Sequence, residues 1–185
     1  MTQEKKQKES WEWLRALLIA FALAGAVRYF IFAPIVVDGE SMMPTLHDRD
    51  RMIVNKLSYD IGEPDRFDII VFEAVEGRDY IKRVIGLPGD TIEYRDDVLY
   101  VNGERVKEPY LNEYKKALEN GNLTYDFNLE DLTGQMRVPE DMLFVMGDNR
   151  QHSKDSRSIG FVSMNKVIGE ANILFWPPSD IRYIK

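Results

Sequence analysis

The feature that most constrains this chain is a long apolar segment near its amino terminus. Residues 16–27 carry no charge. The wider window 11–37 contains three charged residues, which are Glu12, Arg15 and Arg28. A helix that spans a bilayer needs about twenty mainly apolar residues, which the wider window supplies. Because apolar side chains surround the whole helical wheel at residues 16–27, a buried amphipathic helix is disfavoured. The sequence therefore predicts one transmembrane helix at residues 11–33, just before Pro34.

The residues before the apolar segment are polar and rich in lysine. Their sequence, MTQEKKQKES, holds Lys5, Lys6 and Lys8. Because positive residues stay on the cytoplasmic side of a membrane, we expect residues 1–10 to form a cytoplasmic tail and residues 34–185 to lie on the outer face. The protein would then be a single-pass protein of the cytoplasmic membrane. A removable signal peptide is the alternative, since the small residues AGA at 24–26 are typical of a cleavage site.

The composition excludes several classes of protein. With 185 residues, of which 44% are hydrophobic, the chain is long enough for one core and one appended element. A formal net charge of -7 without a basic tract argues against a nucleic-acid partner. The absence of cysteine excludes disulfides, thiolate metal sites and cysteine nucleophiles. Since His47 and His152 lack the spacing of metal ligands, we expect neither a metal nor another cofactor.

The pattern of residues 34–185 predicts one mainly β domain. Short runs rich in β-branched and aromatic residues lie at 51–55, 68–73, 80–85, 91–95 and 142–146. In DVLYVNGERV, Asn102-Gly103 predicts a tight hairpin turn between two alternating strands. A short helix is expected at residues 110–120 and an exposed loop at residues 122–134. The predicted fold is a compact β-sheet or partly open barrel carried on one membrane helix.

Ser41 is a candidate nucleophile in the stretch DGESMMPTL at residues 38–46. Most serines in such turns form only local hydrogen bonds. Hydrolysis by serine also requires a base that removes the hydroxyl proton. His152 lies beside Ser153 and Asp155, which leaves a histidine triad open, although neighbours in a charged loop rarely face one another.

Lys82 is the stronger candidate for the base. It lies in YIKRVIGLPGD at residues 80–90, and on a strand its side chain stands between Tyr80 and Val84. These neighbours would desolvate the amine and lower its pKa from about 10.4, which a lysine base requires at neutral pH. Arg83 cannot replace it, because a guanidinium stays protonated in proteins.

Four blocks of the chain resemble a known family. They are GESMMPTL at 39–46, RFDIIVFE at 66–73, YIKRVIGLPGD at 80–90 and GDNRQHSKDSRSIGFV at 147–162. In this order behind an apolar segment, they closely resemble the type I signal peptidases of bacteria, in the small form with a single span. The resemblance implies a serine endopeptidase of the membrane that removes signal peptides from exported preproteins, cutting after small residues in Ala-x-Ala sites. It also implies a Ser-Lys dyad on a mainly β fold, with Ser41 as nucleophile and Lys82 as general base.

The resemblance also implies how the oxyanion is bound. The backbone N–H of Ser41 would help to bind the tetrahedral oxyanion, and Gly39 would permit the unusual backbone at this turn. Gly39 is also a departure, because some members of the family have a serine hydroxyl at this position as a second oxyanion donor. A backbone donor or a water molecule would have to replace it here.

The last block resembles the family segment that supports the dyad. By that resemblance, Ser153 would hydrogen-bond the amine of Lys82. Asp155 and Arg157 would form an ion pair that holds the loop. Residues 148–150 are expected to form a turn.

Small side chains at the first and third positions before the cut would point to the same face of an extended peptide paired to a strand edge. Shallow apolar subsites would then reject larger residues. The candidates for these subsites are Val37, Met42, Leu46, Tyr80 and Ile81. The expected partners are the signal peptides of exported preproteins, membrane lipid and the secretion translocase.

Two other functions stay open at this point. Some self-cleaving repressors use a related Ser-Lys arrangement and cut an Ala-Gly bond, and this chain contains Ala24-Gly25. That bond lies within the predicted span, however, and no basic DNA-binding domain precedes it. The other function is a membrane-anchored binding domain in which Ser41 and Lys82 are incidental. Covalent trapping of Ser41 by an acylating inhibitor would separate both enzymes from the binding domain.

Overall fold

The computed structural model describes residues 3–74 and 77–184 of the chain. Within them the protein is mainly β, with short strands and few helices. The helices are α1 (Gln3–Phe30), α2 (Ser58–Ile61), α3 (Asn112–Ala117), α4 (Leu129–Thr133) and α5 (Ser156–Ile159). The strands are β1 (Phe32–Val36), β2 (Arg51–Asn55), β3 (Ile69–Glu73), β4 (Asp79–Gly86), β5 (Ile92–Arg95), β6 (Val98–Val101), β7 (Glu104–Val106), β8 (Phe127–Asn128), β9 (Met142–Met146), β10 (Val162–Ser163), β11 (Val167–Trp176) and β12 (Arg182–Tyr183).

The strands form two antiparallel sheets. The large sheet has the order β1-β2-β11-β3-β4-β9-β10, and β12 pairs with one end of β11. The small sheet has the order β7-β6-β5-β8. Runs such as RMIVN in β2 and IIVFE in β3 favour these strands, because branched and aromatic side chains pack well on a pleated surface.

The large sheet curls into a half-barrel, as the prediction of a partly open barrel requires. Register shifts in the pairing of β11 with β2 and β3, and of β4 with β9, increase the local twist and bend the sheet. The outer strand β1 and the first half of β4 therefore border one cleft, although three strands separate them in the sheet order. Strand β9 pairs with β4 only from Arg83 onward, which leaves residues 79–82 with a free edge beside the cleft.

The core lies on both faces of the large sheet. Ile69 and Val71 of β3 belong to one cluster of buried side chains, whereas Ile70 and Phe72 belong to another on the opposite face. A third cluster joins the small sheet to β9. Strand β3 is thus buried on both sides, which explains why its sequence is continuously apolar rather than alternating.

Most local predictions for the domain are confirmed. The five predicted β runs correspond to β2, β3, β4, β5 and β9. Asn102 and Gly103 have φ values of 54° and 81° and join β6 to β7 as a tight hairpin. The predicted helix at residues 110–120 is a 3-10 turn, Pro109–Leu111, followed directly by α3.

The prediction of an exposed loop at residues 122–134 is wrong. This segment contains β8 and α4. Asn128 caps α4, because its side chain accepts a hydrogen bond of 2.8 Å from the backbone N–H of Asp131. Phe127 is buried against Tyr94, with the ring centres 5.1 Å apart. A strand of two residues is too short to show a period in the sequence, so only tertiary packing reveals it.

Helix α1 covers most of the predicted span and ends at Phe30, after which Pro34 lies in the edge strand β1, where proline is tolerated. The side chains of residues 11–25 are exposed. Among the residues that the structure describes, no helix combines the length and the apolar content needed to cross a membrane. The predicted span at residues 11–33 stays a prediction. Residues 1 and 2 of the predicted tail lie outside the described part of the chain.

Candidate active site

A cleft of about 470 Å³ lies between β1 and the first half of β4. Residues 35–38 form one wall and residues 78–82 form the other. Ser41 and Lys154 also line the cleft. The cleft therefore brings together the edges of two strands with Ser41 and Lys82, the two residues that the sequence predicts to act as a dyad.

Ser41 and Lys82 are in direct contact. The Nζ of Lys82 donates a hydrogen bond of 2.7 Å to the Oγ of Ser41. It donates a second bond, of 2.9 Å, to the carbonyl oxygen of Ile81. Lys82 is only 4% exposed, and none of the ion pairs among the described residues involves its amine. The amine is thus buried against a hydroxyl without a carboxylate partner.

Burial lowers the pKa of Lys82 from 10.5 to about 8, although the charges of Asp155 and Asp148 raise it. The neighbours on the strand contribute to this burial as predicted, since Nζ lies 5.3 Å from the centre of the Tyr80 ring and Val84 has no exposed surface. With a pKa near 8, about a tenth of the molecules have a neutral amine at pH 7. Lys82 can therefore accept a proton under ordinary conditions.

Ser41 lies in a compact turn between β1 and β2. The backbone N–H of Leu46 donates to the carbonyl of Met42 at 2.9 Å, which makes one helical turn. Met42 and Leu46 therefore point to the same side, and both are completely buried in the core of the large sheet. This corrects the prediction that Met42 and Leu46 line the substrate cleft. Both side chains instead fix the turn of Ser41 to the core. Val37, Tyr80 and Ile81, the other predicted subsite residues, do line the cleft.

Gly39 shapes the entry to this turn. Its φ of +93° lies in the region that favours glycine. Its backbone N–H donates to Oδ1 of Asp48 at 2.9 Å, so Gly39 contributes its conformation and has no free donor for an oxyanion. Within residues 3–74 and 77–184, the backbone N–H of Ser41 has no hydrogen-bond partner and is available as a donor.

The loop after β9 holds the turn of Ser41 from the other side. The backbone N–H of Asn149 donates to the carbonyl of Ser41 at 3.0 Å, and its side chain donates to the carbonyl of Glu40 at 3.1 Å. At Gly147 a Cβ would collide with the Ser41 carbonyl and the Ser153 hydroxyl. Only glycine at this position allows the loop to approach the nucleophile so closely.

Asp155 and Arg157 form the predicted ion pair. The guanidinium of Arg157 contacts both carboxylate oxygens of Asp155 at 2.8 Å, and Asp155 has no exposed surface. Asp155 also accepts a hydrogen bond of 3.0 Å from the backbone N–H of Gly147. Ser153 differs from the prediction, because its buried hydroxyl has no hydrogen-bond partner among the described residues and Lys82 donates elsewhere.

Residues 148–150 form a turn as predicted, and two of them, Asp148 and Arg150, are also buried charges. Asp148 accepts two hydrogen bonds, of 2.9 and 2.7 Å, from the guanidinium of Arg83. The hydroxyl of Thr45 donates to the same carboxylate at 2.5 Å. The pair is completely buried, so each charge needs the other. Asp148 thereby connects the catalytic strand to the turn of Ser41.

Arg150 forms a second buried pair beneath the small sheet. Its guanidinium donates to Glu108 at 2.6 Å and to the hydroxyl of Tyr94 at 2.7 Å. Although burial raises the pKa of a carboxyl, the charge of Arg150 and the hydrogen bonds of Tyr94 and Tyr110 hold the pKa of Glu108 below its usual value. The sequence carries no local signal for this pair, since its members are 42 positions apart.

The structure does not assemble the alternative histidine site. His152 is exposed, and within the described residues its side chain has no hydrogen bond to Ser153 or Asp155. In the same part of the chain, no three histidine or acidic side chains gather as metal ligands would. Of the two predicted arrangements, the structure brings together Ser41 and Lys82 but not the histidine site.

Comparisons with known proteins identify the family of the chain. The model of the family described as signal peptidase, peptidase S26, matches residues 10–176. Signal peptidase I of Bacillus caldolyticus is 52% identical over 95% of this chain and 94% of its own length. Signal peptidase I S of Bacillus subtilis is 47% identical over 96% of this chain and 95% of its own.

A solved structure also matches. The crystal structure of a signal peptidase I from Enterococcus faecalis has a TM-score of 0.57 and 50% sequence identity, and the match covers 59% of this chain and 97% of that chain. The family model and relatives of 40% identity or more extend over nearly the whole chain. The chain belongs to the signal peptidase family, peptidase S26.

Proposed function

We propose that the protein is a membrane-bound serine endopeptidase that removes signal peptides from exported preproteins by a Ser41–Lys82 dyad. The hydrogen bond of 2.7 Å between Lys82 and Ser41 carries this proposal. It joins a nucleophile to a base whose pKa of about 8 suits proton transfer near neutral pH.

The reaction begins with neutral Lys82, which takes the proton of the Ser41 hydroxyl. The Ser41 oxygen attacks the scissile carbonyl, and the negative charge develops on the carbonyl oxygen. The free backbone N–H of Ser41 donates to this oxyanion. The Lys82 ammonium then gives its proton to the leaving amine, and the acyl group stays on Ser41. Water, deprotonated by Lys82, releases the acyl group and restores the enzyme.

Substrate binding follows from the cleft. An extended peptide adds to the free edge of residues 79–82 and faces β1 across the cleft. Alternate side chains of the peptide point to the same side of the cleft. Val37 lines the cleft from the wall of β1, and Tyr80 and Ile81 line it from the wall of β4, so we assign shallow subsites to the space between them. This arrangement favours small residues at the first and third positions before the cut, as in Ala-x-Ala sites.

The membrane supplies both the location and the substrate. Helix α1 exposes a continuous set of large apolar side chains, which are Trp11, Trp13, Leu14, Leu17, Leu18, Ile19, Phe21 and Leu23. Such a surface favours lipid over water. We place residues 11–33 in the cytoplasmic membrane, with residues 1–10 inside and the catalytic domain on the outer face. Signal peptides and the secretion translocase would meet the enzyme there.

The test uses a detergent-solubilised preprotein and mass spectrometry of the new amino terminus. The parent enzyme should cut once, after a small residue, and an acylating inhibitor should label Ser41. Ser41→Ala and Lys82→Ala should leave the preprotein intact, whereas His152→Ala should cut at the parental rate. Cleavage by the Lys82→Ala variant at the parental rate would contradict the dyad.

A further inference from the structure

Tyr110 packs on the strand of Lys82 from the turn that follows the small sheet. It lies in the 3-10 turn Pro109–Leu111, which follows β7. The centre of its ring is 3.9 Å from the central carbon of the Arg83 guanidinium. Arg83 directly follows Lys82 on β4. Tyr110 takes no part in the proposed chemistry, yet it packs on the side chain next to Lys82 on the same strand.

The guanidinium of Arg83 is completely enclosed. Its edges donate to both carboxylate oxygens of Asp148 and, at 2.8 Å, to the carbonyl of Phe67. Its flat face lies against the ring of Tyr110. The Phe67 ring in turn meets the Tyr110 ring edge-on at 5.6 Å. The Tyr110 ring thus keeps water away from a buried ion pair and restricts the guanidinium to one plane.

The ion pair transmits this restraint to the nucleophile. Asp148 accepts a hydrogen bond from Thr45, which is in the turn of Ser41. The next residue of the loop, Asn149, donates its backbone N–H to the carbonyl of Ser41 at 3.0 Å. A rotation of Arg83 would displace Asp148 and therefore the turn. A displacement of about 1 Å at a catalytic group is sufficient to lower a rate by about a hundredfold.

The hydroxyl of Tyr110 has a separate role. It donates to Glu108 at 2.8 Å and accepts from Arg150 at 3.2 Å. The hydroxyl of Tyr94 makes the same two contacts, each at 2.7 Å. The ring of Tyr94, however, packs on Phe127 in the small sheet, away from the stack on Arg83. Ring and hydroxyl effects can therefore be separated by comparing the two tyrosines.

We propose that Tyr110 is a positioning residue, whose ring holds the Arg83–Asp148 pair so that Ser41 and Lys82 stay aligned for catalysis. This inference rests on the proposed dyad. It assigns the turn after β7 an indirect part in the reaction, because this turn presents the ring that restrains Arg83.

The test compares Tyr110→Leu, Tyr110→Phe and Tyr94→Phe in the full-length enzyme with a peptide that contains an Ala-x-Ala site. Tyr110→Leu should lower kcat by about 10- to 100-fold with little change in KM, since the cleft itself is untouched. Tyr110→Phe should restore most of kcat, because it keeps the ring. Tyr110→Phe and Tyr94→Phe should lose similar thermal stability, because each removes one hydroxyl from Glu108 and Arg150.

Three results would overturn the proposal. They are a folded Tyr110→Leu variant with parental kcat, an equal loss of kcat in Tyr110→Phe, and an equal loss of kcat in Tyr94→Phe. If Tyr110→Leu does not fold, Tyr110→Met takes its place, because methionine fills much of the same volume without an aromatic face. Failure of both to fold would assign Tyr110 to folding alone and would also overturn it. Activity in Ser41→Ala, by contrast, would refute the dyad itself.

Discussion

Strand β4 buries two cationic side chains, Lys82 and Arg83, in opposite surroundings on its two faces. Lys82 and Arg83 are consecutive and are 4% and 0% exposed, respectively. Arg83 has a carboxylate partner in Asp148, at 2.7 Å, and every edge of its guanidinium is occupied. Within the described residues, the amine of Lys82 donates hydrogen bonds only to the hydroxyl of Ser41 and to a backbone carbonyl. Alternation along a strand places the two side chains in these different surroundings.

The difference separates a reactive group from a structural one. Burial without a partner disfavours the charged amine, so the pKa of Lys82 falls to about 8 and the amine becomes a base. Burial beside Asp148 is offset by that carboxylate, which holds the pKa of Arg83 above its usual value. The carboxylate partner and the strong basicity of a guanidinium keep Arg83 charged, whereas burial without a carboxylate leaves Lys82 able to lose its proton.

The largest expected effect is on kcat, when Ser41 or Lys82 is replaced. Ser41→Ala, Lys82→Ala and the double variant should each lose about 10⁴-fold or more of kcat, with no further loss in the double variant, because the two residues act as a unit. Lys82→Arg should be equally inactive, since a guanidinium cannot act as the base. Single-turnover assays on a preprotein measure these losses, and a variant without His47 and His152 is the matched control. Additive losses in the double variant would show that the two residues act independently.

Breaking the Arg83–Asp148 pair should lower the stability of the folded protein. Arg83→Met leaves Asp148 buried without a partner, and we expect a loss of about 3–5 kcal/mol in the free energy of unfolding. Replacing both members, as in Arg83→Met with Asp148→Leu, should recover much of this loss. Urea unfolding at pH 7 measures both variants. If the double variant is as unstable as the single one, the unpaired charge is not the source of the instability.

The sequence predicts the reactive side better than the structural side. The neighbours that desolvate Lys82, Tyr80 and Val84, are two positions away on the same strand, so the alternation of a strand reveals them. Arg83 and Asp148 are 65 positions apart, and nothing local pairs them. The block GDNRQHSKDSR has the composition of a solvated turn, and only the assembled sheets bury its charges.

Burying the charged amine of Lys82 lowers the stability of the folded protein. Replacing Lys82 by methionine should therefore raise the free energy of unfolding, by an amount that depends on pH. Because its folded pKa of about 8 is below the unfolded value of 10.5, the unfolded chain binds more protons between these values, and the parent gains stability as the pH rises through them. The shift corresponds to about 3 kcal/mol. Lys82→Met should therefore be more stable than the parent by about this amount at pH 6, and the advantage should disappear above pH 10.5.

Thermal unfolding of both proteins across this pH range measures the difference. Lys115→Met provides the control, because Lys115 is partly exposed and lies beside Asp97 at 3.4 Å. A constant difference between Lys82→Met and the parent from pH 6 to pH 11 would show that Lys82 titrates alike in both states.

The smallest expected effect is the change that neighbouring charges make in the pKa of Lys82. Activity should rise with pH through about 8, as Lys82 becomes neutral. The charge of Asp155 raises the pKa of Lys82, so Asp155→Asn should move this acid limb to lower pH. Arg157→Met removes the cation that offsets Asp155 and should move the limb to higher pH. Each shift should be about one pH unit or less, or about 1.4 kcal/mol or less.

Both variants break the same buried pair and should lose similar stability, so only the electrostatic effect differs in sign. The measurement is the pH dependence of kcat/KM, at pH values where both variants are folded. If both variants move the acid limb in the same direction, a displaced loop rather than charge changes the pKa of Lys82.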